Sequence, residues 1–290
     1  MRIAIIIATK GRPRAVNHLL RLLEEQTQAP SVVVVSATQS ADIQDSMRTS
    51  LRVEYVFGPA GLPSQRNRAL EKTRDCSDIV VFFDDDFAPA PTWLEHCANV
   101  FVSDGSVVGM SGLVLRDGAV GEEISWEEAK RLIHDAAPAQ MALPLIAEPD
   151  GLYGCNMAYR VSAIRHVAFD ERLVLYGWLE DKDFSRSAGK IGRLVRCNAM
   201  VGVHLGLKSG RVSGTKYGYS QVVNAWYLHK KGILTSKEAC SNIGKALLAN
   251  SAKSFWPEKH IDRPGRLKGN LIGLGNLMLG HCRPEKVAQL

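Results

Sequence analysis

Three consecutive carboxylates, Asp84-Asp85-Asp86, follow directly on the apolar run Ile79-Val80-Val81-Phe82-Phe83. A run of that kind reads as a strand buried on both faces. Its end therefore delivers three negative charges together at the edge of a sheet. Like charges side by side repel and raise one another's pKa, a tension that a bound cation relieves. Asp84 and Asp86 are two apart, so an extended backbone points them the same way. Two hard oxygen ligands on one side suit Mg²⁺ or Mn²⁺, whose remaining positions go to water and substrate phosphates. The same residues would also make a solvated acidic turn. Other stretches carry chemistry too. Thr9-Lys10-Gly11-Arg12 stands before a helix start, where Lys10 and Arg12 could meet a diphosphate. Arg66, entering another helix, could contact phosphate or brace the acidic loop. In residues 177–186, Glu180 and Asp181 lie beside Trp178. Partial desolvation there would raise a carboxylate pKa and suit a general base. The alternative is an acidic helix start that favours the macrodipole, with Asp183 and Arg186 spaced to pair. His204 closes a late apolar run, and a lone histidine at a strand end is more often structural than a ligand.

These residues need elements to hold them. Residues 2–8 read as a buried strand. After Pro13, the residues Val16, Leu19, Leu20 and Leu23 fall at helical spacing. Strands follow at 32–35, 53–57, 79–83 and 106–115, with helices at 63–73 and 91–101. Alternation of this kind implies a mostly parallel, Rossmann-like central sheet flanked by helices, an α/β fold. Ligands in such folds bind at the carboxyl ends of the strands. Residues 118–150 read as loops around a helix at 126–134. A short helix is expected at 161–167, a strand at 194–203 and a mobile loop at 206–214. The remainder reads as helices at 217–230 and 236–255 and a glycine-punctuated amphipathic segment at 265–279. Residues 1–205 would form the catalytic domain, with a nucleotide-binding half (1–115) and an acceptor half (116–205). Residues 206–290 would supply a lid loop and a helical, basic appendage.

Composition narrows the class. The chain has 290 residues, 46% hydrophobic and 23% charged, as in an ordinary globular protein. No apolar stretch is long enough to span a bilayer. The first eight residues lack a small-residue cleavage site and read as a strand, not a signal peptide. Six scattered cysteines without a C-x-x-C pair argue against a disulfide framework or zinc site and for a reducing cytoplasm. Charge is uneven: residues 205–290 hold 14 Lys and Arg against 4 Asp and Glu, on an overall net charge of +6. Such a tail could face anionic lipid, nucleic acid or a phosphate-bearing substrate. It lacks the basic and aromatic interleaving of single-strand binders, so no nucleic-acid partner is expected.

Taken in order, Ala8-Thr9-Lys10-Gly11-Arg12, Arg66-Asn67, Asp84-Asp85-Asp86 with Pro91-x-Trp93-Leu94, Gly154-Cys155-Asn156-Met157, Glu180-Asp181 with Arg186, and His204 resemble the family 2 glycosyltransferases of the GT-A fold. The resemblance covers roughly residues 1–210. It implies a metal-dependent, inverting transferase, acting on a UDP- or dTDP-sugar donor and a glycan or lipid-linked acceptor in bacterial surface polysaccharide synthesis. Asp84 would contact the nucleoside side, with Thr9, Lys10, Arg12, Ser36, Arg66 and Asp85 around the donor. Asp86 and His204 would hold Mn²⁺ or Mg²⁺, the imidazole favouring Mn²⁺. Asp181 would be the general base. Glu180 would shape the acceptor site, with Trp178 and Asn156 also at the acceptor. Arg211, in a stretch that also resembles bacterial members, would fold over the donor diphosphate. One departure concerns the base: after the second strand the chain reads Ser36-Ala37-Thr38-Gln39-Ser40, with no carboxylate until Asp42. Sugar specificity is expected from residues 118–153. The location would be cytoplasmic, with residues 267–279 either lying on an anionic membrane surface or packed on the catalytic domain. Two alternatives keep the fold: a sugar nucleotidyltransferase, which would want more glycines than Gly11 after the first strand, and a catalytically idle binding protein.

Overall fold

A computed structural model describes residues 1–44, 49–119, 121–140, 146–256 and 258–290. Part of the expected specificity region, residues 120 and 141–145, therefore lies outside the described residues. In chain order the elements are β1 (Ile3–Ala8), α1 (Pro13–Glu24), β2 (Val32–Ala37), β3 (Val53–Phe57), α2 (Leu62–Thr73), β4 (Ile79–Asp84), β5 (Phe87–Pro89), α3 (Trp93–Ser103), β6 (Val107–Asp117), α4 (Trp126–Gln140), β7 (Ile146–Ala147), β8 (Asn156–Arg160), α5 (Glu180–Ala188), β9 (Arg193–His204), α6 (Gly214–Lys230), α7 (Ser236–Ser254) and α8 (Arg263–Met278). The chain divides into two compact units: Met1–Ala60, Gln65–Ala168 and Phe184–Gly210 form the first, and Gly61–Ser64, Phe169–Asp183 and Arg211–Leu290 the second.

The first unit is an α/β layer structure around one sheet, ordered β3-β2-β1-β4-β8-β6-β9-β5, with β7 also on β9. Strands β3, β2, β1 and β4 are mutually parallel. β1, β2 and β4 are apolar throughout most of their length because helices cover both faces of a parallel sheet. Beyond β4 the sheet becomes mixed, since β8 runs antiparallel to both β4 and β6 while β6 and β9 are parallel. Pro13 opens α1, and its buried stripe Val16, Leu19, Leu20, Leu23 seals one face of the core. Trp93 meets Phe83 edge-on at 4.8 Å, and Phe83 stacks on Phe87 at 5.2 Å. Each such side chain contributes roughly 1.5–3 kcal/mol on burial.

Three registers place the chemistry. β1 pairs β4 with Ala8 opposite Asp84, so the 9–12 loop stands beside the acidic loop. β5 turns back from Asp86 and pairs β9 with Phe87 opposite His204. β6 pairs β9 with Asp117 opposite His204. Gly202 makes the β5–β9 contact feasible: a Cβ there would lie 2.2 Å from the Phe87 ring.

The second unit is helical. α6, α7 and α8 pack with the 169–183 segment, around Leu173, Val222, Ala225, Leu228 and Ile243. Thr235 and Glu238 close a capping box on α7. α6 and α8 touch through glycines. A Cβ on Gly218 would lie 2.0 Å from the Arg266 carbonyl oxygen, and one on Gly269 2.0 Å from that of Thr215.

One local expectation is corrected. Residues 161–167 form hydrogen-bonded turns rather than a helix, with bonds such as Ile164 N to the Arg160 carbonyl. Asp183 and Arg186 each have a partner outside the helix. Arg186 reaches back to the Asp150 carboxylate, and Asp183 accepts from Lys231 Nζ at 2.7 Å. Both partners lie far away in sequence, where helical spacing gives no hint of them.

Candidate active site

Asp84 ends β4, Asp86 precedes β5, and His204 ends β9. One ligand atom from each of Asp84, Asp86 and His204 lies within 4.8 Å of the others. Two carboxylate oxygens and an imidazole nitrogen match the donor set of a hard or borderline divalent cation. His204 Nε2 faces Asp86 Oδ1 at 3.3 Å, and its Nδ1 faces Asp117 Oδ1 at 2.9 Å. Burial alone would lower the His204 pKa, but the bonds to Asp117 and Asp86 outweigh it and lift the ring to about 10. Burial pushes Asp117 up; the His204 bond and charge and the Tyr153 hydroxyl, 2.7 Å from Oδ2, outweigh it and hold Asp117 at about 2. A carboxylate on one nitrogen of the ring and a metal position on the other is the arrangement that orients histidine ligands.

The surrounding charges are matched. Arg12 Nη1 lies 2.9 Å from Asp85 and 3.4 Å from Asp86, and Arg66 Nη2 lies 2.7 Å from Asp84. Thr9 Oγ1 donates to Asp85 at 2.7 Å. Burial raises Asp85 to about 7, with the Asp86 charge adding to it, although Arg12 and Thr9 oppose the rise. The loop after β9 is tied to the same cluster. Leu207 N donates to Asp86 at 2.8 Å, Arg12 Nη2 donates to the Leu207 carbonyl at 3.0 Å, and Arg12 Nε to the Ser209 carbonyl at 2.8 Å.

The structure thus brings Thr9, Arg12, Arg66, Asp84, Asp85, Asp86 and His204 together, while Lys10 stands exposed. Arg66 is buried and also donates to the Gly154 carbonyl at 2.7 Å, so it braces the acidic loop. Ser36, expected at the donor, is fully buried, and its hydroxyl accepts from Arg68 at 2.9 Å. Asn156, expected at the acceptor, is also fully buried; its Oδ1 accepts from Gly112 N at 2.6 Å and braces β8 against β6. In the second unit, Trp178 is half-buried, Glu180 is buried and Asp181 is half-buried in the first turn of α5, where its carboxylate accepts from Lys182 N. Leu179, between Trp178 and Glu180, has φ 71°, a backbone conformation costly for a branched side chain. Strain of that kind concentrates where a segment must present neighbours in a fixed direction. Arg211, in the same unit, is exposed and adds its charge to the field at Tyr217.

Sequence reasoning missed Asp117, Tyr153 and the part played by Asp42. Asp42 is buried and accepts from Gly11 N at 2.7 Å and from Thr38 N and Oγ1 at 2.8 and 2.6 Å. It takes up the loop after β2 and fixes the 9–12 loop, the place where the chain lacked an earlier carboxylate. The available signal was an Asp four residues after Thr38 in a polar stretch, a spacing at which its carboxylate can accept from the preceding turn's N–H groups.

Among curated proteins none matches this chain significantly. Solved structures with the same fold include S. aureus TarS 1–349 (17% identity, TM-score 0.60, all of this chain and 83% of that one). Mannosyltransferase PcManGT from Pyrobaculum calidifontis matches at 15% identity and TM-score 0.59, over 96% of this chain and 87% of its own. Glucosyl-3-phosphoglycerate synthase from Mycobacterium tuberculosis matches at 18% and 0.53, over 81% of each chain. Against a longer TarS chain (19% identity, TM-score 0.53, 88% of this chain), the match spans 44% of that chain's length. The model for glycosyl transferase family 2 matches residues 4–167, which include β1, the 9–12 loop, the acidic triplet and Asp117. With that match over more than half its length and a sheet that ends in the acidic triplet, the chain belongs to glycosyl transferase family 2.

Proposed function

We propose that this chain is a metal-dependent, inverting glycosyltransferase that moves a sugar from a nucleotide-diphosphate sugar to an acceptor hydroxyl. The observation that carries the reading is the convergence of Asp84, Asp86 and His204 within 4.8 Å. Asp84, Asp86 and His204 would hold Mn²⁺ or Mg²⁺, which when bound supplies positive charge against a leaving diphosphate. The related structures point the same way: PcManGT was solved with GDP-Man and Mn²⁺, and the mycobacterial synthase with Mn²⁺ and UDP. TarS 1–349 was solved with UDP and with UDP-GlcNAc.

The chain's own residues then divide the work. Lys10 and Arg211 serve the donor diphosphate, Arg12 contributes its charge to the same group, and Asp84 takes the nucleoside side. Asp181 accepts the proton of the acceptor hydroxyl. The oxygen so freed attacks the anomeric carbon opposite the bond to the diphosphate, that bond breaks, and the configuration inverts. Glu180 and Trp178 shape the acceptor site. The acceptor is a glycan or lipid-linked acceptor in bacterial surface polysaccharide synthesis, and the protein works in the cytoplasm, where its basic tail suits contact with the inner membrane face. No helix among the described residues is long and apolar enough to cross a membrane.

A thermal-shift panel of UDP, dTDP and GDP with and without Mn²⁺ tests the reading. The expected result is stabilisation by one nucleotide that depends on Mn²⁺ and disappears in His204→Ala. No response to any nucleotide overturns it.

A further inference from the structure

The second unit holds an aromatic and arginine cluster beside the proposed base. Tyr217 on α6 meets Trp178 at 5.3 Å between ring centroids and Tyr176 at 5.6 Å. The Arg266 guanidinium, from α8, lies 4.1 Å over the Tyr217 ring. Trp178 is held by its carbonyl, which accepts from Asn224 Nδ2 at 3.0 Å. Burial lifts the Tyr217 hydroxyl to about 12, against the charges of Arg266, Arg211 and Arg263 and with that of Asp181.

The three arginines differ in how they are satisfied. Arg263 is spent: it pairs with Glu258 at 2.6 Å and donates to Asn250 Oδ1 at 3.0 Å. Arg266 is half-buried and has no carboxylate or carbonyl partner among the described residues; the face of Tyr217 is what it rests on. A guanidinium stacked on an aromatic face keeps its N–H fork free in the ring plane's surroundings, ready for a bidentate acceptor. Burial and the like charges of Arg263 and Arg211 weaken the hold of Arg266 on its proton, although Tyr217 and Glu258 oppose them. A half-buried cation in that condition is costly unless something anionic arrives to share it.

We propose that Arg266, stacked on Tyr217 beside Trp178 and Asp181, is a subsite for a phosphate ester carried by the acceptor. This rests on the transferase reading only for the word acceptor; the anion subsite itself follows from the cluster. The aromatic faces of Trp178 and Tyr217 would take the sugar or polyol carbons, and the Arg266 fork would take the phosphate oxygens. The phosphate belongs either to a soluble glycan or polyol phosphate or to a lipid headgroup, and both present the same group to the fork.

The test uses the full chain and three probes in calorimetric titrations: sn-glycerol 3-phosphate, glycerol, and phosphatidylglycerol vesicles. The subsite is expected to bind sn-glycerol 3-phosphate or the vesicles, but not glycerol. Arg266→Met should weaken that binding about tenfold or more, and Arg266→Lys should restore part of it. A soluble acceptor gives Arg266-dependent binding of the free ester alone; a lipid source makes the vesicle binding Arg266-dependent as well. UDP or GDP with Mn²⁺ should stabilise Arg266→Met as much as the wild type. Absence of binding by both phosphate probes to the wild-type protein overturns the subsite, whatever the variants do. So does an Arg266→Met protein that binds them unchanged, or one that loses nucleotide instead. If no nucleotide stabilises the wild type while phosphate binding still depends on Arg266, the subsite stands and the transferase reading is what fails.

Discussion

His204 is clamped from both sides, by Asp117 on Nδ1 at 2.9 Å and by Asp86 on Nε2 at 3.3 Å. A metal can take the Nε2 side only if Asp117 keeps the ring in its plane and the proton on Nδ1. Asp117→Asn should therefore weaken Mn²⁺ binding about 10–100-fold, read by loss of the free Mn²⁺ paramagnetic resonance signal. Asp117 is about one-third exposed, so the metal-free protein should lose no more than about 1 kcal/mol of stability. Equal Mn²⁺ affinity in the two proteins would assign Asp117 to folding alone. Asp181→Asn addresses the other half of the chemistry: it removes a proton acceptor at nearly constant shape. It should keep the Mn²⁺-dependent nucleotide stabilisation and lose transfer by about 10²–10⁴-fold. Normal transfer would place the base elsewhere. Asp84 and Asp86 were legible as a pair from their spacing at the end of an apolar run, whereas His204 entered only through the family resemblance, since a lone histidine at a strand end reads as structural. Asp117 was not legible, since its contact with His204 spans 87 residues and exists only through the β6–β9 register.

Elements carry the next level of specification, and α8 shows how much a pattern reading leaves out. The sequence marks it as a glycine-punctuated amphipathic segment. Its buried residues are Arg263, Gly269, Asn270, Gly273 and Asn276, with Leu274 and Leu277 half-buried against the helical core and Leu271 and Met278 exposed. Close approach to α6 selects small residues on the contact side. Gly269→Ala should then destabilise the second unit by about 1–3 kcal/mol, because the new methyl meets the Thr215 carbonyl. Gly275→Ala on the same helix has open space around its Cβ and should stabilise by about 0.5–1 kcal/mol. Urea melts of both proteins check the pair, and equal effects of the same sign would refute the close-approach account. The 169–183 segment is fastened to α6 by charge. Lys231, just past α6, donates to Asp170 and Asp183, both at 2.7 Å, and Tyr227 donates to Asp170. Burial opposes charge on Asp170 and Lys231. The hydrogen bonds outweigh it, holding Asp170 below the usual carboxylate range and lifting Lys231 above its own. A depressed Asp stabilises above its unfolded pKa and ceases to as pH falls through the folded one; a raised Lys stabilises below its unfolded pKa and ceases to as pH climbs past the folded one. Asp170→Asn should cost about 1–2 kcal/mol at pH 7 and progressively less as pH falls below the ordinary carboxylate range, which urea melts at pH 7 and at low pH measure. A deficit that persists at low pH would mean that shape, not charge, fastens the segment. The alternating first half of the sheet was legible from apolar runs and helix periods. In the later half β6 and β9 were legible as apolar runs, while β5 and β8 were not, because β5 is three residues long and β8 pairs antiparallel on both sides, neither of which leaves a hydrophobic period to read.

At the scale of the whole molecule, charge and exposed apolar surface coincide in the same stretch of chain. Residues 205–290 carry 14 Lys and Arg against 4 Asp and Glu. Within them Leu248, Phe255, Trp256, Leu271, Met278 and Leu279 are each more than half exposed. Large apolar side chains at that exposure, in a basic setting, are what a peripheral membrane contact requires: the charges draw anionic headgroups, and the side chains enter the boundary with the acyl chains. The glycine-lined contact between α6 and α8 removes the opposition between a packed helix and a membrane-facing one. α8 can be packed through its glycines and still present Leu271 and Met278 outward. The expected behaviour is co-flotation with phosphatidylglycerol vesicles at low salt, release at about 0.5 M salt as the headgroup attraction is screened, and no flotation with neutral phosphatidylcholine. Met278→Glu with Leu279→Glu should abolish flotation while leaving nucleotide stabilisation intact, because neither residue touches the donor machinery. Vesicle binding that survives the double variant would show that charge alone holds the protein there. Absence of binding at low salt would return the basic tail to solvent.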